Sequence, residues 1–267
     1  MTGAMKRDLW GAAQAYEQYM GRWSRQVAPL FLTWLAAPAQ QRWVDLGCGT
    51  GALTAEIART CAPRALLGVD TAEGFLQAAA RAVPSATFQA GDVSRTGLPG
   101  AAFDCAVSGL VLNFTPSPHT ALQEMTRLVR PGGLVGLYVW DYAGHMQIMR
   151  RFFDAARTID PGAAAFDDGV NAPVCRPAPL RAALASAGLW DVRVTPLDLT
   201  AAFASFDEYW TPFLGATGSA PKYYAGLPPG VQDQVRGAVR AALPTGPDGE
   251  ILLAVRAWAA RGQLPDA

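Results

Sequence analysis

The stretch Val44-Asp45-Leu46-Gly47-Cys48-Gly49-Thr50-Gly51-Ala52-Leu53-Thr54 constrains this chain more than any other. An apolar run ends around an acid, three glycines follow at alternate positions, and a helical pattern then begins. Glycines at 47, 49 and 51 let the backbone turn tightly and approach a ligand where a Cβ would intrude. A helix that starts at such a turn presents free N–H groups and a partial positive charge to that ligand. Strand, glycine turn and helix, repeated, mean βαβ units and a parallel sheet that binds ligands at its carboxyl edge.

The rhythm persists from residue 42 onward. Apolar runs at 42–46, 65–70, 86–90, 103–108 and 134–140 read as strands, and helices are expected near 52–60, 72–83 and 117–130. In the last helix Ser117 caps, Pro118 takes the first helical position, and Pro131-Gly132-Gly133 stops it. Past Asp141 the pattern loosens to a helix at 179–187 and strands at 191–199 and 251–259. The gaps, about 142–177 and 200–249, are rich in Pro, Gly and aromatics; such long irregular stretches often form lids or binding segments. Near the amino terminus Val27, Leu30, Phe31, Trp34 and Leu35 form a helical stripe, with Ser24 as its N-cap and Gly21 breaking the piece before it. The expected organisation is a helical lid over 1–39, an α/β core over 40–141, and a remainder, 142–267, that completes the sheet at about 178–199 and 250–260 between cap insertions.

Composition removes several classes. At 51% hydrophobic and 16% charged, the 267 residues do not match disorder, which pairs low hydrophobicity with high net charge. Twenty-two basic residues balance 22 acidic ones, which argues against a nucleic-acid surface. No apolar run approaches the roughly 20 residues that span a bilayer. None follows the Lys6-Arg7 pair as in a secretory signal, so a cytoplasmic protein without a membrane partner is expected. Cys48, Cys61, Cys105 and Cys175 contain no CxxC pair, and His119 and His145 are the only histidines, so reduced thiols and no metal are expected.

Two readings of the glycine turn compete. Gly47, Gly49 and Ala52 satisfy the permissive dinucleotide pattern G-x-G-x-x-G/A. Against it, Asp45 would repel a pyrophosphate and suits a cationic amine. The spacing also places the third glycine, Gly51, in the turn itself instead of reserving it for helix packing.

The segment V-D-L-G-C-G-T-G resembles the first motif of class I S-adenosylmethionine-dependent methyltransferases, and further motifs follow in register over about residues 40–140. These are Gly68-Val69-Asp70, Gly91-Asp92-Val93, Leu98-Pro99 with Phe103-Asp104, and Leu128-Val129-Arg130-Pro131-Gly132-Gly133. Arg22-Trp23-Ser24-Arg25 and Val255-Arg256-Ala257-Trp258 are more loosely similar to bacterial small-molecule enzymes of the ubiquinone/menaquinone type. The resemblance implies a doubly wound, mostly parallel sheet of seven strands, the last inserted antiparallel, with helical N-terminal and cap segments. It implies S-adenosylmethionine as cofactor, held by Asp45, Gly47, Cys48, Gly49 and Gly51, by Asp70 and Thr71 at the ribose, and by Asp92 and Val93 at the adenine. Ser108 and Tyr19 join that set. Phe75 either presses on the adenine or packs in the core, and Arg22 either reaches the cofactor carboxylate or is solvated. Cys48 contributes backbone groups.

The reaction expected is in-line methyl transfer to a small, aromatic or apolar acceptor. The protein mainly supplies proximity, orientation and a dry pocket. Tyr16, Trp23, Asn113, Trp140, Tyr209, Trp210 and Phe213 are the pool for the acceptor pocket, alongside Tyr19. The candidate catalytic groups are Asp141, Tyr142 and His145 as bases, should the acceptor carry a proton to remove, and Asn113, which either hydrogen-bonds the acceptor or caps its loop. In Asp207-Glu208 the acids are expected to cap a helix. Two alternatives stay open, a non-catalytic protein that binds the same cofactor and an NAD-type oxidoreductase. A monomer or homodimer acting on a small molecule is expected.

Overall fold

A computed structural model describes residues 21–215 and 218–266. Seven strands form one sheet: β1 (Arg42–Leu46), β2 (Ala65–Asp70), β3 (Thr87–Ala90), β4 (Phe103–Gly109), β5 (Val129–Trp140), β6 (Trp190–Phe203) and β7 (Ile251–Gln263). Their order is β3-β2-β1-β4-β5-β7-β6. The first five pair in parallel, and β7 runs antiparallel between β5 and β6, as the resemblance implies. Val44, Leu46, Val69, Cys105, Ala106, Val107, Val135 and Leu137 are buried, which is why these strands read as unbroken apolar runs. The chain leaves β1 toward β2 and returns to β4 on β1's other side. The carboxyl ends of β1 and β4 therefore flank the point where the winding reverses, where sheets of this kind hold ligands.

Helices α1 (Arg22–Leu35), α2 (Ala52–Thr60), α3 (Glu73–Ala82), α4 (Pro118–Leu128), α5 (Gln147–Ile159), α6 (Pro177–Ser186) and α7 (Pro229–Ala242) cover the sheet and build the cap. In α4, Ser117 caps as expected, accepting from the Thr120 N–H, and Pro118 opens the helix. Helix α1 departs from its expected start. It is already helical at Arg22, Gly21 has right-handed helical dihedrals, and the Ser24 hydroxyl donates to the Gly21 carbonyl from within the helix. Val27, Ala28, Phe31 and Leu35 are fully buried, whereas Leu30 of the expected stripe is turned outward.

Three strands are longer than their periodicity suggests. Strand β5 begins at Val129, paired with Phe103, and a bulge over Pro131-Gly132-Gly133 lets the ladder resume at Leu134 opposite Cys105. The β6–β7 hairpin pairs Phe203 with Ile251 and Trp190 with Gln263, beyond the expected ends at 199 and 259. Inside those ends the added Thr200, Ala201, Ala202, Ala260, Arg261, Gly262 and Gln263 are small or polar, and the antiparallel partner, not their own propensity, keeps them extended.

The stretches 142–177 and 200–249 are largely helical, and their aromatics pack on one another. Phe152 of α5 stacks on Phe213 with centroids 4.8 Å apart and meets Phe153 edge-on at 5.3 Å. Trp210 stacks on Phe206 at 5.5 Å, and the Tyr209 hydroxyl donates to the Ile148 carbonyl. All four cysteines are unpaired, and Cys48, Cys105 and Cys175 are buried.

Candidate active site

The glycine turn hangs from the end of β2. The N–H groups of Gly47 and Cys48 both donate to the Val69 carbonyl, at 2.7 and 3.0 Å, and Gly51 donates to the Cys48 carbonyl. The Gly49 N–H donates to Asp70 Oδ2 at 3.0 Å. These four donors of the turn are thus satisfied within the protein. A pyrophosphate, which binds such turns through those donors, finds them occupied.

Gly47, Gly49 and Gly51 all have positive φ, at 73°, 54° and 90°. A Cβ on Gly47 would stand 2.5 Å from a Val111 methyl, whereas one on Gly49 would enter open space. Gly51 departs from the spacing argument. Its missing Cβ would lie 3.1 Å from that of Ala79, so the third glycine does serve helix packing, against α3.

Asp45 is the buried charge of the site. It is 1% exposed; Thr54 Oγ1 donates to its Oδ2 at 2.6 Å, and its Oδ1 has no partner. Burial pushes this carboxyl up to about 7, the Thr54 bond opposes that, and the neighbouring Asp70 charge adds to it. Asp70 accepts from the Ala72 N–H at 2.9 Å as well as from Gly49, which leaves lone pairs on both of its oxygens.

A cleft of about 680 Å³, the solvent at its open side included, runs along these acids. The turn side contributes Asp45, Gly47, Cys48, Gly49, Thr50, Asp70 and Phe75; Ser24, Gly109, Leu110, Val111, Phe114 and Tyr138 supply the rest with Ala52 and Leu53. Among the described lining residues there are two carboxylates and no Lys, Arg or His. The cleft is therefore anionic at one wall and apolar at the other.

The structure brings some of the expected site residues together and directs others elsewhere. Thr71 is exposed just beyond Asp70, and the Cys48 side chain is buried under the turn with its thiol pushed up by burial. Asp92 and Val93 follow β3 but do not line the cleft; Asp92 is exposed and accepts from the Ser94 N–H at 2.7 Å. The Ser108 hydroxyl is spent on the Leu46 carbonyl at 2.7 Å, tying β4 to β1. Arg22 turns away, paired with Glu208 at 3.1 Å and lying over the rings of Trp23 and Phe203 at 4.1 and 4.9 Å. Glu208 also completes a helix cap, accepting from the Ala204 N–H while Ser205 accepts from the Glu208 N–H. Asp207 instead pairs with Arg236.

Trp23, Trp140, Tyr209, Trp210 and Phe213 do not line the cleft. All are at most 5% exposed, and Tyr209, Trp210 and Phe213 belong to the aromatic cluster of the cap. Tyr16 and Tyr19 lie outside the described residues.

The candidate bases are also held away. Asp141 Oδ2 accepts from the His145 backbone N–H at 2.8 Å. His145 Nδ1 lies 3.3 Å from Arg256 Nη1 and 3.6 Å from that carboxylate oxygen. Arg256 in turn grips Asp198 through two bonds of 2.6 and 2.9 Å. An arginine only donates, so in the neutral ring Nδ1 accepts from Arg256 and the hydrogen sits on Nε2. Both amide atoms of Asn113 are shielded from solvent without a hydrogen-bond partner, one residue before Phe114.

Ser24, Gly109, Leu110, Val111, Phe114 and Tyr138 are lining residues that sequence reasoning missed. A glycine and a tyrosine at one register position of β4 and β5 is the signal that could have found two of them, but register is not visible before the strands are paired.

Residues 44–137 match the family described as a methyltransferase domain. A trans-aconitate 2-methyltransferase from Methylobacterium nodulans is 35% identical over 49% of this chain and 50% of its own length. The chain thus spans about half the length of the curated relatives it matches first. Among solved structures, a putative methyltransferase from Bacillus halodurans superposes with a TM-score of 0.61 at 12% identity, covering 89% of this chain and 98% of its own. Phosphoethanolamine N-methyltransferase 2 from Haemonchus contortus, solved with S-adenosylhomocysteine, gives 0.59 at 15% identity over 95% of this chain and 57% of its own. At those identities the structures speak for the fold alone. Residues 44–137 thus match a methyltransferase domain, and the motifs and the sheet order around them are similar to those of class I S-adenosylmethionine-dependent methyltransferases. No described helix is long and apolar enough to cross a membrane.

Proposed function

We propose that the chain binds S-adenosylmethionine in this cleft and transfers its methyl group to a small aromatic or apolar acceptor. The observation that carries the first half is a fully buried Asp45 with an unpartnered oxygen, beside Asp70, in a cleft with no described cationic side chain. An uncompensated buried carboxylate is costly, and a ligand ammonium relieves that cost. A diphosphate meets two carboxylates and spent backbone donors instead, which speaks against the NAD-type alternative.

The cofactor supplies a methyl group already activated on a sulfonium. Asp45 binds the amino group, Asp70 offers its remaining lone pairs to the ribose hydroxyls, and the open space at Gly49 lets the ligand lie on the turn. Phe75 supplies apolar cover, and Asp92 and Val93 stand at the neighbouring strand end for the adenine. Leu110, Val111 and Phe114 exclude water from the other wall, Phe114 being 66% exposed at the mouth. Apart from Asp45 and Asp70, assigned here to the cofactor, no described lining residue is a carboxylate, Lys or His, which suits an acceptor whose lone pair is available near neutral pH.

The acceptor class rests on that apolar wall. Trans-aconitate, the substrate in the relatives' name, is a tricarboxylate, and the described lining has no cation to meet it. The test is transfer from methyl-labelled cofactor to a panel of apolar aromatic acids, phenols and amines, to trans-aconitate, and to cell extract. Label in an organic-extractable product supports the proposal. Label in trans-aconitate alone overturns the acceptor class, and no labelled product from any source favours the non-catalytic binding protein.

A further inference from the structure

Strand pairing sets Gly109 of β4 directly beside Tyr138 of β5. Paired residues on adjacent strands point to the same face, so a side chain at 109 and the phenol at 138 compete for one space. Glycine leaves that space to the tyrosine. A Cβ at 109 would stand 2.5 Å from the Tyr138 hydroxyl oxygen and 2.7 Å from the ring carbon that bears it. Phe31 of α1 packs against the ring at 4.9 Å, and the side chain is only 2% exposed. The next residue, Leu110, takes a left-handed φ of 63° and donates its N–H to the Tyr138 carbonyl at 2.8 Å, so the end of β4 is bent onto this tyrosine. Gly109, Leu110 and Tyr138 all line the cleft that holds Asp45 and Asp70.

We propose that Tyr138 turns its phenol oxygen toward the methyl-bearing sulfonium and so makes the cleft prefer the cofactor over its demethylated product. The inference rests on the cofactor reading above. In S-adenosylmethionine the sulfur lies along the chain between the amino-acid tail, assigned to Asp45, and the ribose, assigned to Asp70. Tyr138 reaches the end of β4 with its hydroxyl beside Gly109, in the same cleft as both acids. A phenol oxygen keeps two lone pairs whatever its own hydrogen does. The C–H groups on a positive sulfur are polarised donors for them, whereas those of the neutral thioether product are much weaker. Tyr138 is thus a positioning residue for the methyl group, and Gly109 is the vacancy that admits it.

The experiment is calorimetric titration of S-adenosylmethionine and S-adenosylhomocysteine into the wild-type chain, Tyr138→Phe and Gly109→Ala. Tyr138→Phe keeps the ring and its packing; it is expected to weaken S-adenosylmethionine roughly three- to fivefold while leaving S-adenosylhomocysteine within about twofold. Gly109→Ala, which displaces the ring, is expected to show the same selective loss. A Tyr138→Phe variant that weakens both ligands alike, or neither, overturns this inference alone. A wild-type chain that binds neither ligand removes the cofactor reading and this inference with it.

Discussion

The carboxylate at position 45 is 1% exposed, with Thr54 holding one oxygen and the other bare. With its pKa raised to about 7, mainly by burial, the group is half protonated near neutrality, yet it holds an ammonium only when ionised. Affinity for S-adenosylhomocysteine is therefore expected to rise about tenfold between pH 6 and pH 8, and Asp45→Asn to give weak, pH-independent binding, both read by calorimetry. The glycines separate stability from binding. Gly47→Ala combines a positive φ with a Cβ 2.5 Å from Val111 and is expected to cost about 2–4 kcal/mol in urea denaturation. Gly49→Ala meets no protein atom and is expected to cost only about 1–2 kcal/mol, yet to lose the ligand, because its Cβ enters the open cleft. These residues were legible in the sequence because turn chemistry is local. Tyr138 was not, because its role depends on a strand pairing that links two distant segments.

At the scale of elements, β1, β2 and β4 stand close to where their apolar runs lie, since a central strand covered on both faces has little choice of residue. The cap was read less well, and for a physical reason. Its aromatics suggested a pocket lining, but Phe152, Tyr209, Trp210 and Phe213 bury one another in the core and do not line the cleft. The short helices that carry them, such as Phe206–Trp210, are too brief to stand alone and are held by that packing. Phe152→Ala is accordingly expected to destabilise the protein by about 3–5 kcal/mol in urea denaturation, with S-adenosylhomocysteine affinity in the folded fraction changed less than about threefold. Loss of ligand binding at unchanged stability would instead assign that ring to the site.

Across the whole molecule, acids act on stability in opposite directions. Glu124 is held down to about 2, first by Arg127 and then by Thr96, despite its burial. The Arg42 and Arg130 guanidiniums hold Asp104 far below the usual carboxylate range, tying β1, β4 and β5 at the edge away from the cleft. Depressed carboxylates contribute stability above their unfolded pKa and lose it as pH falls through the folded value, so these two favour the fold from about pH 4–5 upward. Asp45 does the reverse; its raised pKa costs stability as pH climbs from about 4 to about 7. The ligand-free melting temperature is expected to fall over that second interval by more than in Asp45→Asn, and S-adenosylhomocysteine to restore it, as read by scanning calorimetry at several pH values. Equal pH dependence in protein and variant would remove Asp45 as the source.

The account stands on the match between an anionic, internally satisfied glycine turn and a nucleoside with a cationic amino-acid tail. Parallel titrations of S-adenosylhomocysteine and NADH into the ligand-free chain and its Asp45→Ala variant test it most directly. The expected result is saturable binding of the first ligand alone, weakened at least about tenfold in the variant. Binding of NADH without S-adenosylhomocysteine, or an Asp45→Ala variant that binds as the wild type does, would contradict it.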